Sequence, residues 1–250
     1  MKREYKFSSI LWIMIIVGLT NYLLSSLVLA IDEENFILAF IVDLLTGLIS
    51  FVFTFAISGG LLRNRMGSVG DYLNQVNYIN MKVVTVGFLI AVVKAIISFI
   101  ANASGAYGVF KTMASPDNST VFALGSVLLP IIGALVVSVI GIFFAYSDFY
   151  LADHHDTEDD VFEIIGKIFS QGKRLFKKTL ILSLKFIGIP LLVLLICIGL
   201  LFFVKDEMVG LGLFAFIGIV FAIAAIILSI VYIARLSDIY LDDKIEIEEY

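Results

Sequence analysis

The chain has 250 residues, of which 60 % are hydrophobic and 16 % charged, with a net charge of −5 and a mean hydropathy of +1.05. A soluble domain is nearer half apolar, with about a quarter of its residues charged, so this composition excludes a soluble globule and indicates a multi-pass membrane protein. The negative charge argues against a nucleic-acid partner, and a single cysteine, Cys197, excludes an intrachain disulfide.

Six apolar stretches are long enough to cross a membrane. A helix rises about 1.5 Å per residue, so about 20 apolar residues cross a hydrocarbon core of about 30 Å. These stretches are apolar on nearly every face, and the alternation typical of a β-barrel is absent. We therefore predict an all-α bundle of six transmembrane helices in one domain, residues 1–250, with approximate spans Ser8–Ile31, Phe36–Leu62, Val83–Tyr107, Val121–Tyr146, Thr179–Val204 and Leu211–Ala234.

Lysine and arginine are divided unequally between the two sides of these spans. One side has only Lys111 and Lys205. Because cytoplasmic loops are enriched in these residues, both termini are predicted to lie in the cytoplasm, at the cell membrane. The first span resembles a secretory signal ending at Ala30, but its apolar stretch is longer than the usual signal core, which favours an uncleaved span. The cationic side comprises Lys2, Arg3, Lys6, Arg63, Arg65, Lys82, Lys167, Lys173, Arg174, Lys177, Lys178, Arg235 and Lys244.

A short string recurs after alternate spans. "SDFYLADHHDTEDD" (147–160) follows the fourth span, "SDIYLDDKIEIEE" (237–249) follows the sixth, and "GDYLNQ" (70–75) comes shortly after the second. The aromatic residues suit the membrane–water boundary, and the acids are expected to mark emergence into water. The repetition predicts three helical hairpins in series, formed by duplication; convergent use of interface residues is the alternative.

Two linkers predict short amphipathic helices at the inner membrane surface. Segment 157–172 begins with Asp156 or Thr157 as the possible N-cap and ends at Gly172. Segment 68–82 is a weaker version, for which an ordinary charged loop is the alternative. The apolar face of 157–172 contains Val161, Phe162, Ile164, Ile165, Ile168 and Phe169, with Glu163, Lys167 and Gln171 facing elsewhere.

Four cations follow this segment, and membrane lipids are the predicted partners. Lys173, Arg174, Lys177 and Lys178 are expected to bind anionic headgroups of the inner leaflet.

Two stretches resemble a known family. "SQGKRLFKKTLILSLKFIGIPLL" ahead of the fifth span and "LLRNRMGSVGDYLNQV" after the second are similar to the YciC-like bacterial six-helix membrane proteins, which are related to the membrane domain of some glycerophosphodiester phosphodiesterases. The resemblance is at the level of pattern and covers most of the chain. It implies a multi-pass bacterial membrane protein and supplies no catalytic residues.

Charged residues within predicted spans mark candidate sites, because burying a charge in lipid costs about 3 kcal/mol or more. Asp43 begins a polar stripe that includes Ser50 and Thr54, and Lys94 lies near the middle of the third span. An ion or proton relay and a structural ion pair between Asp43 and Lys94 are both consistent with this pattern. Lys185 is close enough to the span end to extend its ammonium to the headgroups.

The string "DHHD" is a weak metal candidate. Asp153, His154, His155 and Asp156 offer imidazole and carboxylate ligands, but adjacent histidines point in different directions on a helix or strand. A solvated, acid-rich helix start is the alternative, and we predict no bound metal or other cofactor.

These patterns favour a non-enzymatic membrane protein, acting as an accessory, scaffolding or envelope-homeostasis factor with an unidentified membrane-protein partner. The alternative is a small transporter or channel that uses Asp43 and Lys94. The spans contain no histidine, which argues against haem or an intramembrane serine hydrolase.

The charge asymmetry makes a direct prediction about topology. A fluorescent protein that folds only in the cytoplasm is expected to fluoresce when it is fused after Tyr250, because the cationic side of the protein stays in the cytoplasm. The matched fusion is alkaline phosphatase, which folds only outside; high phosphatase activity at the same site would contradict the orientation.

Overall fold

The computed structural model describes residues 3–31, 36–93, 138–201 and 207–248. Within these ranges helices are connected by short turns, and no strand is present. The elements are α1 Phe7–Ile31, α2 Phe36–Arg63, α3 Val69–Leu73, a 3₁₀ helix Asn74–Tyr78, α4 Met81–Val93, α5 138–143, α6 Ser147–Asp153, α7 Val161–Ser183, a π-helical turn Leu184–Gly188, α8 Ile189–Leu201 and α9 Glu207–Glu248.

Four helical stretches in the described ranges are long and apolar enough to cross a membrane. The bent pair Val69–Tyr78 and Met81–Val93 makes a fifth if it forms one span. The all-helical class is therefore confirmed, whereas the count of six spans is not. Residues 94–137 lie outside the described residues, and with them most of the predicted spans Val83–Tyr107 and Val121–Tyr146.

Helices α1 and α2 run antiparallel, and polar contacts fix their register. At one end the Ser9 hydroxyl donates to the Gly67 carbonyl at 2.8 Å. Near the middle of the pair, the Asn21 amide donates to the Ser50 hydroxyl at 3.1 Å. A hydrogen bond between apolar helices is directional, so it selects one register of the two helices. Apolar side chains alone would allow several registers.

Helix α7 starts later and continues further than its sequence predicts. Its N-cap is Asp160, whose carboxylate accepts from the Phe162 N–H, so the prediction of Asp156 or Thr157 is wrong. The helix passes through Gly172 and continues through the π turn into α8. Segment 157–172 is therefore not a separate helix lying flat beside the fifth span.

The buried face of α7 also differs from the predicted apolar face. Ile164, Ile168 and Leu175 are buried, but Phe162 is 77 % exposed and Gln171 is buried. Gly172 explains the path of the helix, because a Cβ at this position would overlap the backbone carbonyl of Phe143. The glycine serves as a point of close approach and not as a helix stop.

The π turn has a local cause in Pro190. Proline has no N–H, so the carbonyl four residues earlier, that of Phe186, loses its helical donor, and the ring crowds the preceding turn. Phe186 lies inside the π turn Leu184–Gly188, which absorbs this disturbance without breaking the helix.

Helix α9 is much longer than its predicted span. It has 42 residues and ends at Glu248, whereas the span was predicted to end at Ala234. At about 1.5 Å per residue it measures about 63 Å, twice a hydrocarbon core of about 30 Å. It runs antiparallel to α7 and α8, as shown by the Ser183–Tyr232 hydroxyl contact of 2.9 Å and the Lys178–Glu246 ion pair of 3.7 Å.

The chain turns sharply between the second and third predicted spans. The segment Val69–Tyr78 lies at 98° to Met81–Val93. A capping box starts α3: the Asp71 N–H donates to the Ser68 hydroxyl, and the Ser68 N–H donates to the Asp71 carboxylate. The Ser68 N–H and the Ser68 hydroxyl both donate to the Asp71 carboxylate, which holds the pKa of Asp71 below its usual value.

The buried core lies at one end of the bundle. It forms where the start of α1, the last turns of α2, helices α3, α4 and α6, the middle of α7 and the second half of α9 meet. Tyr72, Tyr146 and Tyr240 are among its largest fully buried side chains. By contrast, α8 and the first half of α9 expose most of their large apolar side chains, as expected of surfaces that face lipid.

A pair of glycine substitutions in α7 tests this packing. Gly172→Ala is expected to lower the free energy of unfolding by about 1–3 kcal/mol, because α7 must move away from Phe143. The matched control Gly166→Ala, with open space around its Cβ, is expected to raise it by up to about 1 kcal/mol through helix propensity. Unfolding in a denaturing detergent measures both, and equal gains would contradict the close approach.

Candidate functional site: a charged layer at one end of the bundle

The two exit strings begin with the same serine hydrogen bond, although one string forms the short helix α6 and the other lies within α9. Ser147 of α6 and Ser237 of α9 are both buried. Each hydroxyl donates to a carbonyl three residues earlier, at 2.9 Å for Ser147 and 2.8 Å for Ser237. The strings therefore share more than composition, since the same residue makes the same bond at the start of each.

The exit strings also pack against each other. The ring of Tyr240 lies 5.9 Å from that of Phe149 and 6.3 Å from that of Tyr146, measured between centroids. Its hydroxyl donates to the Asp153 carboxylate at 3.1 Å. Burial and the nearby Asp153 carboxylate raise the pKa of Tyr240 far above its usual value, so this hydroxyl remains a donor at neutral pH.

Nine ionisable residues form what we call the charged layer, which joins the ends of the described helices. Its two buried acids are Asp238 and Asp243, whose side chains are 7 % and 5 % exposed. The members are Arg3, Arg65, Asp153, Arg174, Arg235, Asp238, Asp242, Asp243 and Lys244.

Asp238 binds arginines from three segments. Arg65, at the end of α2, donates to one carboxylate oxygen at 2.8 Å and to the Ser237 hydroxyl at 2.9 Å. Arg235 donates to the other carboxylate oxygen at 2.8 Å, and Arg3 donates to the backbone carbonyl of Asp238 at 3.1 Å. Burial lowers the pKa of Arg65, and the charge of Asp238 opposes that shift. The N-terminal residues, the segment just after α2 and α9 are thus joined at one residue, Asp238.

Two further acids extend the layer to α6 and α7. The Asp153 carboxylate binds the Lys244 ammonium at 2.8 Å, and Asp243, also buried, binds Arg174 of α7. The sequence prediction that these acids mark emergence into water is wrong for Asp238 and Asp243. Both are buried by neighbouring helices that supply their counter-charges.

The third string, "GDYLNQ", contributes differently. Tyr72 is fully buried, and its hydroxyl donates to the Arg65 carbonyl at 2.9 Å. Burial raises the pKa of Tyr72 to about 12. Its ring lies against Gly60 of α2, where a Cβ would overlap it. Tyr72 thus holds the backbone of Arg65 while Asp238 holds its side chain.

The predicted metal candidates are divided among other partners. His154 stacks on Tyr150, with ring centroids 4.3 Å apart. The His155 Nδ1 lies 3.0 Å from Arg63, and its Nε2 lies 2.8 Å from Asp156. Both His155 contacts are hydrogen bonds when Nε2 carries the proton. No group of three His, Cys, Asp or Glu residues in the described ranges is arranged to hold a metal ion.

The polar stripe of α2 is partly assigned. Ser50 accepts from Asn21 of α1, whereas the Thr54 hydroxyl donates to the Ser50 carbonyl at 2.6 Å within its own helix. Asp43 belongs to α2, but its side chain lies outside the described residues, as does all of Lys94. The predicted contact between Asp43 and Lys94 therefore stays a prediction.

Asn21 is a site residue that the sequence reasoning missed. Its amide oxygen and the Thr46 hydroxyl are buried and have no hydrogen-bond partner in the described part of the chain. Thr46 lies one turn before Ser50 on α2. The prediction considered mainly charged residues within the spans and therefore passed over the Asn21 amide. The available signal was a single asparagine in a long apolar run.

The four cations after Gly172 are not equivalent. Arg174 binds Asp243, and Lys178 lies 3.7 Å from Glu246. Lys173 and Lys177 are exposed and form no ion pair with described residues. Two of the four cations predicted to bind headgroups are therefore used to hold α7 on α9.

No family model, curated protein or solved structure matches this chain.

A pair of acid substitutions in α9 tests the charged layer. Asp238→Asn is expected to lower the free energy of unfolding by about 3–5 kcal/mol, because Arg65 is left buried without its counter-charge. Glu246→Gln removes an exposed ion pair of the same helix and is expected to cost less than about 1 kcal/mol. Detergent unfolding followed by circular dichroism measures both; equal losses would contradict the central role of Asp238.

Proposed function

We propose that the protein is a multi-pass protein of the bacterial cell membrane that works without catalysis, as an accessory, scaffolding or envelope-homeostasis factor. The observation that carries the proposal is the pairing of three acids in the charged layer, of which Asp238 and Asp243 are buried. Asp153, Asp238 and Asp243 each bind a cation from the chain itself, so the charged layer joins helices and does not present a reactive group to an open cleft.

Two observations support a cytoplasmic location for both termini. Arg3 and Asp242 form an ion pair of 2.8 Å, so the N-terminal residues and the end of α9 share one end of the bundle. Most lysines and arginines of the described ranges also belong to the segments at this end, which is the distribution of a cytoplasmic face.

The arrangement as three hairpins is part of the same proposal. The antiparallel contacts of α1 with α2, and of α7 and α8 with α9, are those expected of a first and a third hairpin. The matching serine bonds of the second and third exit strings support duplication over convergence.

A scaffold needs a surface beyond the lipid, and α9 provides one. The 14 residues from Arg235 to Glu248 rise about 21 Å past the predicted span. Ile245 and Ile247 are exposed near its end. A membrane-protein partner is expected to contact this extension.

The second candidate is a small transporter or channel, and one observation favours it. The Asn21 amide oxygen of α1 and the Thr46 hydroxyl of α2 are buried and have no hydrogen-bond partner among the described residues. Asp43 lies one turn from Thr46 on the same helix face. A permeating ion or water would satisfy these two oxygens.

A flux assay separates the two candidates. In proteoliposomes loaded with dyes for H⁺, Na⁺ or K⁺, we expect the purified protein to give no flux above that of protein-free vesicles. Asp43→Asn and Lys94→Met, checked for folding by circular dichroism, are expected to behave like the wild type.

Cation flux that both variants abolish while still folded would overturn the scaffold proposal in favour of transport. The positive test of scaffolding is stoichiometric co-purification of one membrane protein from native membranes. Its loss in Ile247→Glu, with Phe162→Glu as the matched exposed control, is expected if the end of α9 makes the contact.

A further inference from the structure

An apolar groove separates α8 from α9. Its volume is about 400 Å³, and carbon atoms form most of its lining. Phe186, Pro190 and Leu194 form one wall, and Phe221, Ala224 and Leu228 form the other. The flanking side chains on α8, such as Ile189 and Leu192, are more than half exposed, so the groove opens on a surface that would face lipid.

The groove exists because of the local chemistry of its walls. Pro190 and the π turn displace the start of α8 from ideal helical geometry. The facing positions of α9 include the small residues Ala224, Ala225 and Ser229, which cannot fill the space. Helices pack closely when both carry small residues at the contact. Here α8 carries bulky residues and α9 small ones, and a gap remains between them.

The position of the groove matches one leaflet. One end is polar, where the Tyr232 and Ser183 hydroxyls lie 2.9 Å apart, and Arg235 of the charged layer follows within one turn. From Tyr232 to Phe221 the helix rises about 16 Å, which is about half of a hydrocarbon core of about 30 Å. A groove of this length reaches from the headgroup level to the middle of the bilayer.

A cation lies beside the groove near its polar end. Lys185 belongs to the π turn, is exposed and forms no ion pair with a described residue. Its ammonium lies 5.9 Å from the ring centroid of Phe186, a residue of the groove wall. A lysine near the headgroup level extends its ammonium toward lipid phosphates.

We propose that this groove binds one acyl chain of an anionic phospholipid, in the leaflet on the side of the charged layer, with the lipid phosphate at Lys185. The apolar lining accepts the chain, and the length of the groove fits a single leaflet. The Lys185 ammonium, which has no ion-pair partner in the described ranges, selects a negatively charged headgroup. Elsewhere along α8 and α9 lipid surrounds the helices without a fixed position, whereas in the groove one lipid occupies a defined site.

A photolabelling experiment tests occupancy. The protein is reconstituted in nanodiscs containing phosphatidylglycerol with a diazirine on one acyl chain, illuminated, and mapped by mass spectrometry. Adducts are expected on Phe221 and Leu228. They are expected to disappear in Ala224→Phe, which fills the groove, and to persist in the matched control Ala222→Phe, which lies on the same helix outside the groove.

Uniform labelling along α9, equal labelling in the two alanine variants, or cross-linking of the groove to another protein segment would overturn the proposal. A second measurement does not depend on repacking the groove. Native mass spectrometry of the delipidated protein titrated with phosphatidylglycerol and phosphatidylcholine gives the preference for the anionic lipid. Lys185→Gln is expected to reduce that preference about fivefold, the contribution of one basic residue at an anionic surface.

The control for this titration is Lys167→Gln, an exposed lysine about 27 Å further along the same helical run, which is expected to leave the preference unchanged. Equal effects of the two lysine substitutions would show only a general attraction of cations for anionic lipid and would overturn the assignment of the phosphate to Lys185.

Discussion

The buried carboxylate of Asp238 is the interaction on which the described structure depends. It lies where the N-terminal residues, the end of α2 and α9 meet, and it binds Arg65 and Arg235 through different oxygens. A buried ion pair adds little compared with an apolar pair of the same shape, but losing one partner is costly because the other charge stays desolvated. The layer therefore contributes specificity: it fixes which helix ends meet in a protein whose apolar surfaces alone are not selective.

The charged layer and the apolar groove lie at different heights along the same two long helical segments, α7–α8 and α9. Near their charged ends, α7 and α9 are held by Arg174–Asp243 and by the hydroxyl contact of Ser183 with Tyr232. From Tyr232 toward the start of α9 the contacts between the two helical segments become apolar. The segments separate at the π turn, and this separation leaves the groove. The two helical segments are therefore in close contact where charged residues need partners, and in loose contact where lipid can fill the space.

Much of the helical structure was predictable, and the errors have physical causes. The first two spans match α1 and α2 closely because long apolar runs leave few alternatives to helix. Gly172 was interpreted as a stop, since glycine is a poor helix former, but close approach to Phe143 also requires glycine. Gln171 and Phe162 were assigned to the wrong faces because periodicity alone does not reveal where α5 and α9 lie around α7. The Asp43–Lys94 contact lies outside the described residues.

The sequence by itself determined the all-helical class and the presence of long apolar helices of the kind found in membrane proteins. Composition and run length are local properties, and in lipid a long apolar segment satisfies its backbone hydrogen bonds by forming a helix. The repeated "SD" strings also predicted three hairpins in series, and the structure shows that the serine of each string makes the same hydrogen bond. Only the tertiary structure decided that Asp238 and Asp243 are buried ion-pair partners, that two of the four cations after Gly172 bind α9, and that a groove opens beside Lys185. Each of these depends on residues far apart in the chain, and burial and ion pairing arise from distances that no local pattern encodes.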